Sequence, residues 1–304
     1  MAESSPVVGV ENLEPGVYDT VFVSPHLDDV AFSCPGALHS LRKSGRKVLV
    51  IVVFSHAGDD AEAERIYEYR RAEECRAAMR GGYDLVWGHF VDAPFRPWPH
   101  RNFMEIIWGE SPKDEEIVNT IKEWLRKVIG HIRPRQVVGP LGVGRHIDHR
   151  LSYRALRQIS NGQGELDLWY YEERPYALID GAVAMRLAEM GHKAEVRLEE
   201  FWRLYSKAAY VVNHLVSRQD RDRCRQNFAE LHRKGQAARN DVTPGATARL
   251  IETEDCASIW KIVEAHRSQV EALLGDMDRF RRECGDYTRC IKSDAKYAER
   301  QWRL

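Results

Sequence analysis

Two short runs of apolar residues constrain the fold more than any other feature of this sequence. Thr20–Ser24 and Val48–Phe54 are continuous rather than alternating, and Val48–Phe54 is the longest apolar run in the 304 residues. A strand that is apolar on both faces is typical of a parallel sheet covered on both sides. Neither run approaches the about 20 residues that a membrane-spanning helix needs. We therefore expect a buried parallel sheet and no interaction with a membrane.

Helical segments separate the predicted strands along the first 180 residues. The clearest is Ser111–Ile132, whose apolar residues recur at spacings of three and four and which ends before Pro134. The other segments are helices at Pro35–Ser44 and Glu62–Arg80 and strands at Tyr83–Phe90, Gln136–Leu141 and Leu168–Tyr171. This alternation predicts an α/β layered sheet, mostly parallel, with right-handed crossovers. Ligands bind such sheets beyond the carboxyl ends of the strands.

The last hundred residues have a different pattern, which predicts long helices. From Cys256 to Phe280 the apolar residues alternate three and four apart, as along one continuous helix. We expect this helix to pack on the protein's own catalytic domain. The alternative is pairing with a second subunit, which would make the protein a homo-oligomer. The sequence thus predicts a domain at 1–198, a helical extension at 199–304, and a linker between helices at Asn240–Ala248.

Charge is balanced overall but not along the chain. The net charge is −1, with 25 basic and 31 acidic residues up to position 200 and 20 basic and 15 acidic residues after it. A balanced total argues against a dedicated nucleic-acid-binding protein. A non-catalytic protein that binds a partner or nucleic acid through the arginines between Arg218 and Arg225 is an alternative. Because Asp220 and Asp222 interrupt that run, a solvated helix face is the better interpretation.

Cysteine spacing and the N-terminus bear on location. Six cysteines form no CxxC pair, and the first ten residues show no basic or apolar signal region. We therefore expect free thiols and a cytoplasmic protein.

Histidine and aspartate cluster directly after two of the predicted strands. Ser24-Pro25-His26-Leu27-Asp28-Asp29 follows the first strand, and Gly142-Val143-Gly144-Arg145-His146-Ile147-Asp148-His149 follows the strand that ends at Leu141. In a parallel sheet both loops can meet at one edge. Imidazole and carboxylate are zinc ligands, and a catalytic zinc site uses three of them with one open position. Either cluster alone is more typical of a helix cap, but both together predict a metal site.

These clusters resemble the signature of the LmbE-like (PIG-L) family of zinc-dependent N-acetylglucosaminyl deacetylases. The family's Pro-His-x-Asp-Asp motif corresponds to residues 25–29, and its His-x-Asp-His motif to residues 146–149. The surroundings resemble a bacterial branch of the family, over roughly residues 18–176. The resemblance implies a Rossmann-like fold.

The resemblance also implies roles for the residues in the two motifs. His26, Asp29 and His149 would bind Zn²⁺ or another divalent transition metal. Asp28 would be the general base, and His146 would stabilise the oxyanion or protonate the leaving amine. Asp148 would orient His146.

Substrate-binding residues are expected around this centre. By resemblance these are Arg70, with Arg71 as the alternative register, and Asp92. Arg145 could reach an anionic or hydroxyl-rich substrate. Trp98 either stacks on a sugar face or anchors a rigid surface loop.

The function implied is zinc-dependent hydrolysis of an N-acyl amide, typically N-acetyl, on an amino sugar or glycosylated small metabolite. The alternative is an amidase of the same mechanism that acts on a peptidic or other natural-product substrate. The two functions share every catalytic residue, so the sequence does not separate them.

Overall fold

The computed structural model describes residues 5–98, 100–160, 166–212, 214–215, 217–237 and 246–304. In these residues seven strands form one sheet in the order β3-β2-β1-β4-β5-β7-β6. The strands are β1 (Thr20–Ser24), β2 (Val48–His56), β3 (Asp84–Val91), β4 (Gln136–Pro140), β5 (Leu168–Tyr171), β6 (Thr247–Thr253) and β7 (Tyr297–Arg303). The first five strands are parallel, and β7 is antiparallel to both β5 and β6. The prediction of a layered, mostly parallel α/β sheet is confirmed.

Helices cover both faces of the sheet. Those in the first half are α1 (Asp29–Ser33), α2 (Pro35–Lys43), α3 (Ala61–Gly81), α4 (Phe103–Trp108), α5 (Lys113–Ile132) and α6 (Ile147–Ser160). Those that follow are α7 (Ala182–Glu189), α8 (Leu198–Tyr205), α9 (Ala209–Val212), α10 (Arg218–Ala237), α11 (Cys256–Val263), α12 (Arg267–Gln269) and α13 (Met277–Cys290). A single π-helical turn, Val270–Leu274, follows α12 and precedes α13.

The continuous apolar runs are explained by two separate cores. In β2, Leu49 and Ile51 pack into the core that includes α5 and α6, whereas Val50 and Val52 pack into the core that includes α2 and α3. Because successive side chains of a strand point to opposite faces, both faces must be apolar. All five residues of β1 are buried for the same reason.

The C-terminal region differs from the predicted pattern in two ways. The helix expected from Cys256 to Phe280 is broken, because the chain turns at His266 and again at Gly275, whose φ is +79°. Asp276 then begins α13 by accepting the Arg279 backbone N–H at 2.7 Å. The region also supplies strands β6 and β7, so it is not purely helical. The boundary at residue 198 stays a prediction.

The apolar seam of this region faces the protein's own sheet. Ile259, Val263 and Phe280 are buried in one cluster with Phe32 of α1 and Tyr297 of β7. This burial accounts for the pattern without a second subunit. The linker predicted at Asn240–Ala248 lies largely outside the described residues, and its end is already part of β6. Among the helices described, none is both long and apolar enough to cross a bilayer.

Candidate active site and metal centre

The two His/Asp clusters lie side by side because of the strand order. β1 is paired with β2 on one side and with β4 on the other. Strands β2 and β3 therefore extend the sheet on one side of β1, and strands β4 and β5 extend it on the other side. The loops at the carboxyl ends of strands diverge at such a switch point and leave a crevice. His26, Asp28 and Asp29 enter it after β1, and His146 and His149 enter it after β4.

Three donor atoms of these clusters form a nearly equilateral triangle. His26 Nδ1 is 3.3 Å from Asp29 Oδ2, and His149 Nε2 is 3.2 Å from Asp29 Oδ2 and 3.2 Å from His26 Nδ1. Zinc with bonds of about 2.0–2.1 Å in tetrahedral geometry separates its ligand atoms by about 3.3–3.4 Å. The three residues are at most 8% exposed. The spacing therefore fits the ligand set that the sequence predicted.

Each of the two histidines has a carboxylate next to the ring nitrogen that is not part of the triangle. His149 Nδ1 is 3.3 Å from Glu173 Oε1, and His26 Nε2 is 3.2 Å from Asp148 Oδ2. Carboxylates only accept hydrogen bonds, so each ring donates from that nitrogen and has its other nitrogen on the triangle. A divalent cation there would displace any proton from these two nitrogens and be held by their lone pairs and by the Asp29 carboxylate. The chemistry of the donor set thus also fits a metal.

Glu173 is a functional residue that sequence reasoning missed. It is fully buried, and its carboxylate also accepts the Gly142 N–H and, at 3.0 Å, the Val143 N–H of the loop after β4. It therefore holds both His149 and the loop that leads to it. Its only sequence signal is its position just after β5, whose carboxyl end lies at the same edge of the sheet.

Asp148 has a different partner from the one predicted. Its carboxylate contacts His26 and accepts the Ala93 N–H at 3.0 Å, and it pairs with Arg96. Its predicted role of orienting or tuning His146 stays a prediction: the contact described between the two residues is the Asp148 backbone N–H on His146 Nδ1, at 3.3 Å. Arg96 was not singled out from the sequence. It is 2% exposed, and its charge compensates that of the fully buried Asp148.

His146 caps helix α6. Its carbonyl accepts the Arg150 N–H at 3.1 Å, and its Nδ1 accepts the Asp148 backbone N–H at 3.3 Å. The proton of a neutral His146 must then lie on Nε2. Burial, with His26 and His149 beside it, holds the pKa of His146 well below its usual value. His146 is therefore a neutral hydrogen-bond donor in this arrangement.

Asp28 lies beside the triangle in a strained backbone conformation. Its φ is 132°, a value that costs a non-glycine residue about 1–3 kcal/mol. Burial raises the pKa of Asp28 to about 7; Arg70 opposes that rise and the Asp29 carboxylate adds to it. A strained backbone conformation persists only where the surrounding structure holds the residue in place, and such residues cluster at active sites.

The structure distinguishes the two candidate arginines. Arg70 Nη2 is 3.4 Å from Asp28 Oδ2 and donates to the Leu27 carbonyl at 3.2 Å. Arg71 instead pairs with Glu64 at 2.6 Å and donates to the Ser55 carbonyl at 2.7 Å. Arg70 is thus the arginine beside the centre, and its role towards a substrate stays a prediction.

The remaining predicted substrate residues occupy different positions. Asp92 lies behind His26, 3.5 Å from Nε2 on the opposite side of the ring from the triangle, and accepts the Tyr67 hydroxyl. Its role towards a substrate also stays a prediction. Trp98 has the Lys113 ammonium over its ring at 5.0 Å, so one of its faces is already covered. This contact favours the anchored-loop alternative.

Arg145 does not point towards the crevice as expected. It is 8% exposed, pairs with Glu189 of α7, and lies 4.4 Å over the Trp108 ring. The expectation that it reaches a substrate is wrong, since its charge is compensated inside the protein. Its φ of +66° directs it towards these helices instead. Arg186 of α7 also pairs with Glu189 at 2.8 Å and donates to the Leu141 carbonyl at 2.8 Å, so both arginines connect the segment after β4 to α7.

Comparisons with known proteins agree with this site. The model of the PIG-L family, described as GlcNAc-PI de-N-acetylase, matches residues 21–160, which contain both clusters. A 2'-N-acetylparomamine deacetylase of Streptomyces fradiae is 32% identical over 166 residues, which cover 52% of this chain and 57% of that protein. One of Niallia circulans is 28% identical over 188 residues, covering 51% and 66%. The chain thus spans between half and two thirds of the length of these relatives.

Solved structures share the fold over almost the whole chain. A deacetylase of the teicoplanin biosynthesis pathway has a TM-score of 0.65 at 19% identity, covering 93% of this chain and 96% of that one. The A40926 pseudoaglycone deacetylase has a TM-score of 0.63 at 18% identity, covering 94% and 96%. These likenesses establish the layered α/β fold. Over residues 21–160 this chain resembles the PIG-L family.

Proposed function

We propose that this protein is a divalent-metal-dependent N-deacetylase that releases acetate from an acetylated amino sugar of a small glycosylated molecule. The observation that carries the proposal is the triangle of His26 Nδ1, Asp29 Oδ2 and His149 Nε2, with Asp28 and His146 beside it. Zinc suits two imidazoles and one carboxylate best. The relatives named 2'-N-acetylparomamine deacetylase support the substrate class.

Amide hydrolysis needs an activated water and a stabilised oxyanion. A divalent metal held by the three ligands would supply Lewis acidity, which makes water more acidic and polarises the acyl carbonyl. Asp28 is the residue placed to accept the proton of the attacking water. Its pKa of about 7 leaves it partly ionised at neutral pH. Arg70 favours the ionised form.

His146 is placed to stabilise the charge that develops on the acyl oxygen. Its Nε2–H donates, because Nδ1 is engaged with the α6 backbone. Being neutral, it is a poor source for the proton that the leaving amine requires. Asp28, once protonated, can deliver that proton. Water and amide are thereby converted to carboxylate and free amine with Asp28 returned to its starting state.

Metal content and amine release test this proposal. The purified protein should hold about one divalent ion per chain and release primary amine from N-acetylated amino sugars. Asp28→Asn should abolish turnover and keep the metal. Asp84→Asn, which changes a carboxylate at the opposite end of the sheet, should leave both turnover and metal content unchanged. A wild-type protein that binds no divalent metal would overturn the proposal.

A substrate panel separates the two hydrolase functions. N-acetylated amino sugars, free and within aminoglycosides, are compared with N-acyl amino acids and acylated peptides. Turnover of the sugars alone supports the proposal. Turnover of the peptidic compounds alone would assign the same residues to a peptidic or other natural product.

A further inference from the structure

Two residues of α3 hold opposite ends of one peptide group in the loop after β1. Arg70 Nη2 donates to the Leu27 carbonyl at 3.2 Å. Glu74, one helical turn further along α3, accepts the backbone N–H of Asp28 with its carboxyl group. The Leu27 carbonyl and the Asp28 N–H belong to the same planar peptide unit and point in opposite directions. The orientation of this unit is therefore fixed from both sides.

The Glu74 carboxyl group is itself held in place. Glu74 is 1% exposed, and its Oε1 accepts the Tyr83 hydroxyl at 2.9 Å. His266, which is fully buried in the turn between α11 and α12, has its Nε2 3.4 Å from Glu74 Oε2. Because both oxygens are in contact with other side chains, the carboxyl group stays directed at the loop.

The peptide unit held in this way precedes the strained residue of the site. The φ angle of Asp28 describes the rotation between this unit and the Asp28 Cα, and its value of 132° is one that residues other than glycine rarely adopt. A peptide unit that was free to turn would let the backbone relax towards negative φ, and the Asp28 side chain would move away from the triangle of ligand atoms. The strain at Asp28 thus requires a restraint, and α3 supplies it.

We propose that Glu74 is a positioning residue, which fixes the peptide group between Leu27 and Asp28 and so holds the Asp28 carboxylate beside the triangle. The inference rests on the proposed function, in which Asp28 is the base. Glu74 acts through Asp28 and exchanges no proton with the substrate. The C-terminal region takes part in this positioning, because His266 packs against the Glu74 carboxyl group.

Three variants separate positioning from a merely structural role. Glu74→Gln keeps an acceptor oxygen for the Asp28 N–H, and its NH₂ group can donate to the Tyr83 oxygen, whereas Glu74→Met has a similar shape and no acceptor. We expect kcat to fall about 10- to 100-fold in Glu74→Met, with KM and metal content unchanged, and Glu74→Gln to restore it. The matched control is Glu73→Met. Glu73 is also fully buried, but it accepts the Ser268 N–H at 2.9 Å and the Ser268 hydroxyl at 2.6 Å.

Glu73→Met should lower stability and leave kcat unchanged. A kcat of Glu74→Met within about threefold of wild type would overturn the inference. An equal fall of kcat in Glu73→Met or in Glu74→Gln would also overturn it, because the loss would then come from general loosening or from the change of charge.

A milder variant tests the same contact if Glu74→Met does not fold. Tyr83→Phe removes only the hydroxyl that holds the Glu74 carboxyl group, and we expect kcat to fall about 10-fold, the effect of one lost hydrogen bond. The control is Tyr18→Phe, because the Tyr18 hydroxyl also donates to a carboxylate, that of Asp84, at 2.9 Å. Equal kcat values for the two tyrosine variants would contradict the inference.

Amide hydrogen exchange at Asp28 gives a readout that does not depend on turnover. An N–H bound to a buried carboxyl group exchanges slowly, so in the metal-free protein Glu74→Met should exchange at Asp28 at least about 10-fold faster than wild type. Glu74→Gln and Glu73→Met should exchange there at the wild-type rate. Unchanged exchange in Glu74→Met would overturn the inference. If wild type releases no amine from any acetylated sugar, the proposed function itself fails, which is a distinct outcome.

Discussion

Glu173 provides the sharpest test of how the centre is held. In Glu173→Gln the side chain keeps its shape but has one acceptor oxygen in place of two. Oε1 serves the Gly142 N–H and His149, and Oε2 serves the Val143 N–H. Whichever way the amide turns, its NH₂ group faces a donor. At least one buried N–H therefore loses its partner.

The size of the effect follows from that loss. A buried donor without an acceptor costs about 1–3 kcal/mol, so the metal-free variant should be less stable than wild type by that amount. Substitution of a residue that orients a metal-binding histidine weakens metal affinity about 10- to 100-fold. In free energy this is about 1.4–2.8 kcal/mol. Both effects should appear together.

The adjacent Glu172 supplies the matched control. It is also buried, but its carboxylate accepts Arg300 Nε and Trp302 Nε1, each at 2.7 Å, on β7. Urea unfolding of the metal-free proteins measures stability, and competition with a chromophoric chelator measures zinc affinity. Glu172→Gln should lower stability and leave zinc affinity unchanged. The reasoning is refuted if the two variants bind zinc equally well.

Three further predictions concern charge. Replacing Arg70 by Met should move the acidic limb of the pH profile of kcat/KM to higher pH, because Arg70 lowers the pKa of Asp28 and Asp28 must be ionised to act as the base. The control variant Arg71→Met should not move this limb. Glu189→Ala should lower the free energy of unfolding by about 3–5 kcal/mol in denaturant titrations, since two buried arginines lose their partner. Burial raises the pKa of Glu299 to about 7, so this carboxyl group binds a proton more tightly in the folded protein than in the unfolded chain. The stability that this proton contributes is therefore lost as the pH rises from about 4.5 to 7. Glu299→Gln should reduce the difference between the free energies of unfolding measured at pH 5 and pH 7.5.

Strands β1, β2, β4 and β5 were predictable because nearly all of their residues are buried, whereas β3 is only partly buried. A run such as Val48–Phe54 is apolar at every position, which only a strand covered on both faces requires. β6 and β7 carry no such signal. Residues 247–253 are exposed or half-exposed, and residues 297–303 include Glu299, Arg300 and Arg303. They are strands because β5 offers an edge, and that depends on the tertiary fold.

The candidate site was also only partly predictable from the sequence. The spacing of His26, Asp28 and Asp29 within one loop makes the first half of the site visible in sequence. The partners of the ligands were not, because Glu173 reaches His149 only since β5 lies next to β4. Asp148 was assigned to His146 by resemblance, whereas its carboxylate contacts His26.

The order of strands has a consequence for how the chain acquires its structure during synthesis. Among the described strands β6 pairs only with β7, which lies between it and β5. The ribosome makes Thr247–Thr253 more than forty residues before Tyr297–Arg303, so β6 emerges before the strand with which it pairs. The five parallel strands and both metal-binding loops are complete by then. The crevice of the proposed active site can thus form before the sheet is complete, and the last strand to be translated completes the sheet by inserting between two segments made before it.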